Sequence, residues 1–140
     1  GDVYKRQLLP RALYEEAVRF RDAFQAEVHA LMAQFDVLLA PATPCAAPLI
    51  ADPRIEIDGA LSPARADLGI HTQPISFTGL PSLAVPLYRP GRLPLGLQLI
   101  GAPHGEPALL KLAARLEAQG MAGATHPPGT VTGSQSGAEV

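Results

Sequence analysis

The sequence predicts an α/β fold, and three observations carry that expectation. A long ladder of apolar residues at helical spacing opens the chain. Two apolar runs of strand length, Ser82 to Leu87 (SLAVPL) and Leu95 to Ile100 (LGLQLI), sit on either side of Arg89-Pro90-Gly91-Arg92. A second amphipathic run, rich in Leu and Ala, follows them. Helix, strand, strand pair and helix together describe layers of helix on sheet.

The first element begins near Pro10, a residue tolerated in the first turn of a helix because its missing N–H has no partner there. Apolar side chains then fall at Leu13, Ala17, Phe20, Phe24, Val28, Leu31 and Phe35, in steps of three and four. That spacing predicts a surface helix packed on a core. Glu15 and Arg19 are spaced as an i,i+4 pair on its wet face. Asp36 to Ala40 (DVLLA) follows as an apolar strand closed by Pro41. Ala42 to Ser62 reads as one loop, broken by Pro44, Pro48 and Pro53. So long an irregular stretch is unusual in a compact domain unless it has a function. Ala64 to Gly79 reads as partly helical, with Pro74 limiting the start of a helix.

The stretch Thr72 to Gly101 organises the rest. In its first strand Leu83, Val85 and Leu87 alternate with Ala84 and Pro86, so one face is bulky and the other small. In the turn, Pro90 presets φ and Gly91 supplies the conformation that other residues avoid. A hairpin of this size is marginal alone in water, which makes it an inner piece of something larger. Pro107 to Gln119 is the closing helix, with Leu109, Leu112, Ala113 and Leu116 on one face and Gly120 placed to end it. The domain reading is therefore 8–119. Residues 120–140, rich in Gly, Ser, Thr and Pro, are expected to be a disordered tail. Residues 1–7 (GDVYKRQ) carry no periodicity into the helix, and VYKRQ looks like a translated sequencing adapter, so non-native sequence is expected there.

Composition narrows the classes. With 47% hydrophobic and 17% charged residues among 140, the chain can build a core but is poor in surface charge. A net charge of −2 gives no electrostatic case for nucleic acid or an anionic membrane. One cysteine cannot form an internal disulfide. No apolar run approaches the roughly 18 residues of a membrane span. A soluble cytoplasmic protein is the expectation.

Few residues point to chemistry. Cys45, in PATPC, has no adjacent His or Lys to act as base. His29, His71, His104 and His126 are scattered, without the spacing of metal ligands. Glu15-Glu16 reads as solvated charge, and Arg89 and Arg92 flank a turn that either holds an anion or is simply solvated. Thr72, Gln73, Ser76 and Thr78 are the candidate pocket residues. They stand just before a glycine that lets backbone approach closely, and their hydroxyls can bond a ligand or, alternatively, local backbone.

The same stretch carries a family resemblance. FDVLLAPATP (Phe35–Pro44), TQPISFTGLPSLAVP (Thr72–Pro86), LPLGLQLIG (Leu93–Gly101) and a Leu/Ala-rich helix, in that order over Leu13 to Glu117, resemble the C-terminal third of amidase signature enzymes. The resemblance implies an α/β/α fold around a large mixed sheet and hydrolysis of carboxamide-type C–N bonds with no metal or other cofactor. It further implies a serine nucleophile, a second serine on a cis peptide and a lysine, both serines in or beside a Gly/Ser-rich segment upstream of these motifs. This chain has no such run. Its serines, Ser62, Ser76, Ser82, Ser134 and Ser136, match no catalytic position, and its lysines are Lys5 and Lys111. No catalytic residue is carried over, and the chain alone is expected to be inactive.

Two departures bear on substrate. Many members have Asn where Ser76 stands. The glutamine-using, tRNA-dependent amidotransferase branch commonly has an acidic residue where Gly69 stands. TQPISF is instead similar to the carboxybiuret hydrolase branch, which acts on small urea-like compounds. The implied partners are the missing N-terminal part of the same domain, a small amide or urea-like substrate, and a small helical subunit or a second copy. Two other readings remain: a fragment of a tRNA-dependent amidotransferase, and a non-catalytic module that binds or assembles through the apolar helix face of Leu13 to Phe35.

Overall fold

In the computed structural model the described residues are 9–124. The elements are α1 (Arg11–Met32), β1 (Val37–Pro41), β2 (Arg54–Ile57), β3 (Ala60–Pro63), α2 (Ala64–Asp67), α3 (Gln73–Thr78), β4 (Ser82–Leu87), β5 (Leu95–Gly101) and α4 (Glu106–Ala118). The helix, the strand pair and the closing helix read from periodicity are all present.

The main sheet has the order β1-β5-β4, and both pairings are antiparallel. In register, Leu38 faces Ile100 and Ala40 faces Gln98 across one pair, while Ser82 faces Ile100 and Ala84 faces Gln98 across the other. Side chains alternate along β5, so Leu99 and Ile100 enter opposite faces. On one face Leu99 and Val85 are buried with Leu109 of α4, with Leu112, Ala113 and Leu116 packed alongside. On the other, Ile100 is buried with Met32 of α1 and with Leu80, and Val28 and Ile75 close over them. Three layers result, with α4 on one side of the sheet and α1 and α3 on the other.

Two sequence expectations are corrected here. The stretch Ala42 to Ser62 is not one loop, because β2 and β3 form an antiparallel hairpin in which Ile57 faces Ala60. Its two central residues, Asp58 (φ 51) and Gly59 (φ 78), both take positive φ. A two-residue turn needs that backbone to match the twist of its strands, and Asp-Gly is a favoured sequence for it. The prolines at 44, 48 and 53 all precede the hairpin and do not interrupt it. On α1, the ion pair forms one turn earlier than expected. Arg11 Nε donates to Glu15 Oε1 at 2.7 Å, so the carboxylate bonds Arg11 and not Arg19.

The apolar ladder of α1 is also only partly covered. Val28 packs over the core, but Leu13, Phe20, Leu31 and Phe35 remain exposed. After α4, Gly120 takes φ 69. The chain then runs beside the end of β4: Tyr88 N–H donates to the Met121 carbonyl at 3.0 Å, and Gly123 N–H to that of Pro86 at 2.9 Å. Ala122 is buried there. The residues expected to form a tail are thus ordered as far as 124. The rest of that expectation, and the reading of residues 1–7 as non-native, lie outside the described residues.

Candidate functional site

An apolar concavity opens at one end of the sheet, where β1 finishes and β5 begins. It is a cleft of about 550 Å³. Its walls come from Leu39 to Pro41, Leu95 to Leu97, Leu87 and the Thr43 to Ala46 turn. Thr43 Oγ1 donates to the Cys45 carbonyl at 2.9 Å, which holds the turn. The turn is pinned to β5 by Ala42 N–H, which donates to the Gly96 carbonyl at 2.9 Å. Only glycine suits position 96 in this arrangement, since a Cβ there would stand 2.8 Å from the Cβ of Ala42. Arg89, on the rim, donates from Nη1 to the Leu93 carbonyl at 3.0 Å and so closes its own loop.

Cys45 lines this cleft and is half-buried. Among the described residues no His or Lys shares the lining, so none of them gives the thiol the base that a nucleophile needs. The cleft is lined mainly by apolar side chains, and the described residues bring no reacting centre to it.

The four candidate pocket residues lie elsewhere. Thr72 precedes α3, and Gln73, Ser76 and Thr78 belong to it. Their hydroxyls bond nearby backbone: Thr72 to the Gly69 carbonyl at 3.2 Å, Ser76 to that of Thr72 at 3.2 Å, and Thr78 to that of Ile75 at 2.7 Å. Thr78 is buried, and its oxygen also accepts from Leu80 N–H at 3.2 Å, which turns the chain out of α3 into β4. Gln73 and Ser76 are exposed. α3 packs near Ile100, the far end of β5 from the cleft, so the structure does not bring these residues and the cleft together.

Gln98 is a position that the sequence reading passes over, although one polar residue in the run LGLQLI is the kind of signal that marks a special position. It is only 5% exposed. Its Nε2 makes a long contact of 3.5 Å to the His71 carbonyl, between mid-sheet and the segment that starts α3. Alanines 40 and 84 flank it in register and leave room for the amide.

Lys111, the one lysine among the described residues, lines a groove between the end of α1 and α4. Ser76 stands in the α1/α3 layer, so the sheet separates the two. Ser62 has a structural partner, since its Oγ bonds the Asp67 carboxylate. Among the described residues, no three His, Cys, Asp or Glu side chains gather as a metal site. No described helix is long and apolar enough to cross a membrane.

The profile of the family described as Amidase matches residues 4–110. The chain belongs to the amidase family. It is 42% identical over 118 residues to AtzE, a 1-carboxybiuret hydrolase component of Pseudomonas sp. (strain ADP), covering 82% of this chain and 26% of that protein. It is 41% identical over 109 residues to the A component of the glutamyl-tRNA(Gln) amidotransferase of Mesorhizobium japonicum, covering 76% of this chain and 20% of the relative. A solved structure, described as a vestigial protein complex that reveals the origins of an s-triazine catabolic enzyme, superposes with TM-score 0.76. Its identity is 41%, and the match covers 82% of this chain and 26% of that one. The chain thus spans about a quarter of the length of these relatives.

Proposed function

We propose that this chain is the C-terminal part of an amidohydrolase that cleaves a carboxamide-type C–N bond in a small amide or urea-like substrate. The observation that carries the reading is the 42% identity to a carboxybiuret hydrolase component over 118 residues. In this reading the serine nucleophile, the serine on a cis peptide and the lysine lie upstream of this chain. The nucleophile attacks the carbonyl carbon, the serine–lysine pair carries its proton to the leaving nitrogen, and water then releases the acyl group.

The geometry supports a scaffolding share for the described residues. They hold an apolar cleft and a three-layer core, yet their one lysine and Ser76 lie on opposite sides of the sheet. β1 is an edge strand with Leu39 60% exposed, and edges and faces of that kind are normally covered. The N-terminal part of the same domain would supply that cover. Thr72, Gln73, Ser76 and Thr78 keep their proposed place along the substrate pocket, with Ser76 and Gln73 the two whose side chains reach solvent.

The test is ammonia release from small amides and biuret-type compounds. It compares this purified chain with the protein as its own gene expresses it. The reading requires turnover by the second and none by the first. Turnover by the chain alone overturns it. In the gene's own product, Ser76→Ala is expected to raise KM with little change in kcat, and unchanged kinetics return Ser76 to a purely structural role.

A further inference from the structure

Helix α3 is six residues long, too short to hold its own conformation in water, so its place over the sheet is set by what grips it. Two glutamine side chains do so, one at each end. At its close, Gln25 of α1 donates from Nε2 to the Phe77 carbonyl at 2.7 Å. At its entry, Gln98 of β5 donates from Nε2 to the His71 carbonyl at 3.5 Å. Between them Ile75 packs on the core of Met32, Leu80 and Ile100.

Gln98 is buried by the described residues themselves, so no further chain is needed to account for its burial. Leucine and isoleucine fill positions 95, 97, 99 and 100 of the same strand. An apolar side chain at 98 would pack there without the cost of burying an amide. What the amide supplies is a donor for a carbonyl that has no other. Thr72 and Gln73 N–H both turn back to the Gly69 carbonyl, at 3.0 and 2.8 Å, and Ser76 N–H goes to that of Thr72 at 3.1 Å. Pro74 has no N–H to give. Among the described residues, the His71 carbonyl is left to Gln98. Ala40 and Ala84, opposite Gln98 on both neighbouring strands, leave the amide free to reach the turn.

That turn carries Gln73. Its side chain lies back over Gly69, where an added Cβ would stand 3.1 Å from Nε2, so the bare glycine gives the Gln73 amide its seat. The amide is exposed and offers both a donor and an acceptor to a neutral carboxamide or urea group. We propose that Gln98 is a positioning residue for the substrate pocket: by holding the His71 carbonyl, it sets where Thr72 and Gln73 meet the substrate. The inference rests on the reading that Thr72 and Gln73 line that pocket. Gln98 acts through the turn and not on the substrate.

The experiment uses the protein as its own gene expresses it and compares two variants. Gln98→Met keeps the length of the side chain and removes the donor, while Gln25→Met breaks the shorter bond at the other end of α3. In ammonia release from small amides and biuret-type compounds, Gln98→Met should raise KM about tenfold with kcat within about twofold. Gln25→Met should change KM by less than about twofold. Equal increases in the two variants mean a general loosening of α3 and overturn the proposal, as does an unchanged KM in Gln98→Met. Hydrogen exchange needs no turnover and supplies the second measurement. In Gln98→Met the Thr72 and Gln73 amides should exchange about tenfold faster, while those of Leu99 and Ile100 keep their rates. Unchanged protection at 72 and 73, or faster exchange through the whole sheet, overturns it equally. If the parent protein releases no ammonia, the reaction reading fails, and the exchange rates decide whether Gln98 holds the turn.

Discussion

Replacing Gly96 with alanine probes the contact that shapes the cleft. Gly96 pairs with Pro86 in the sheet, and its carbonyl accepts the N–H of Ala42. The added Cβ would sit 2.8 Å from the Cβ of Ala42, whereas carbon atoms in ordinary contact are about 3.5–4.0 Å apart. Both atoms are fixed to backbone, so no rotamer relieves the overlap. The Ala42 turn must move out by roughly 1 Å to restore that spacing. Overpacking of this kind costs about 1–3 kcal/mol, and the Ala42 hydrogen bond, worth about 1 kcal/mol, is lost if the turn lifts away. The assay is urea unfolding of the protein as its own gene expresses it, read as a fall in midpoint at constant slope. Ala42→Gly removes the opposing methyl. In that background Gly96→Ala should cost less than about 0.5 kcal/mol, since alanine also restricts the unfolded chain. The cycle should therefore show about 1–3 kcal/mol of coupling. An equal cost in both backgrounds refutes the reasoning.

Four further outcomes are expected. Thr78→Val removes a hydroxyl that bonds Ile75 and Leu80 within a residue 2% exposed. It leaves the Leu80 N–H without its partner and should cost about 1–3 kcal/mol in the same unfolding assay; a neutral result shows that water replaces the hydroxyl. Leu109→Ala empties a site 2% exposed between α4 and β5 and should cost about 2–5 kcal/mol, while a loss below about 1 kcal/mol means that the α4 layer collapses to fill the space. The Asp52 carboxyl is held below its ordinary value first by its hydrogen bond to Arg54. Its folded value therefore lies below the unfolded one, so its contribution is present above about pH 3.9 and is lost as pH falls through the folded value. Arg54→Gln should move its NMR titration midpoint upward, and an unmoved midpoint rejects the pairing. Finally, this chain purified alone exposes Phe20, Leu39 and Leu49 and is expected to bind a hydrophobic dye and melt without a cooperative transition. A sharp transition in a monomeric sample contradicts that.

The elements that periodicity controls are legible from the residues. The steps of three and four from Leu13 locate α1, and alternation through Leu83, Val85 and Leu87 locates β4. Periodicity cannot say what covers an apolar residue, which is why a single ladder on α1 resolves into one packed side and one open side. The hairpin at Asp58-Gly59 is signalled by two residues alone. Strands of four residues give too little alternation to stand out beside the prolines that precede them. Met121 to Gly123 pair with β4 through backbone groups, which a composition rich in Gly and Ser does not reveal. The site is harder still. The hydroxyls before Gly79 draw attention by type, yet type does not distinguish a ligand contact from the local backbone bonds that Thr72, Ser76 and Thr78 make. The cleft is built largely from Leu, Pro, Ala and Gly, residues that carry no chemical signature before the fold gathers them.

The central claim is that this chain completes an amidohydrolase whose reacting groups lie upstream. The DNA sequence before the Leu8 codon at the native locus tests it most directly. The account predicts an open frame that continues into a Gly/Ser-rich segment bearing the two serines, with the lysine some distance before it. A start codon beside Leu8, with no such segment in frame, would contradict it.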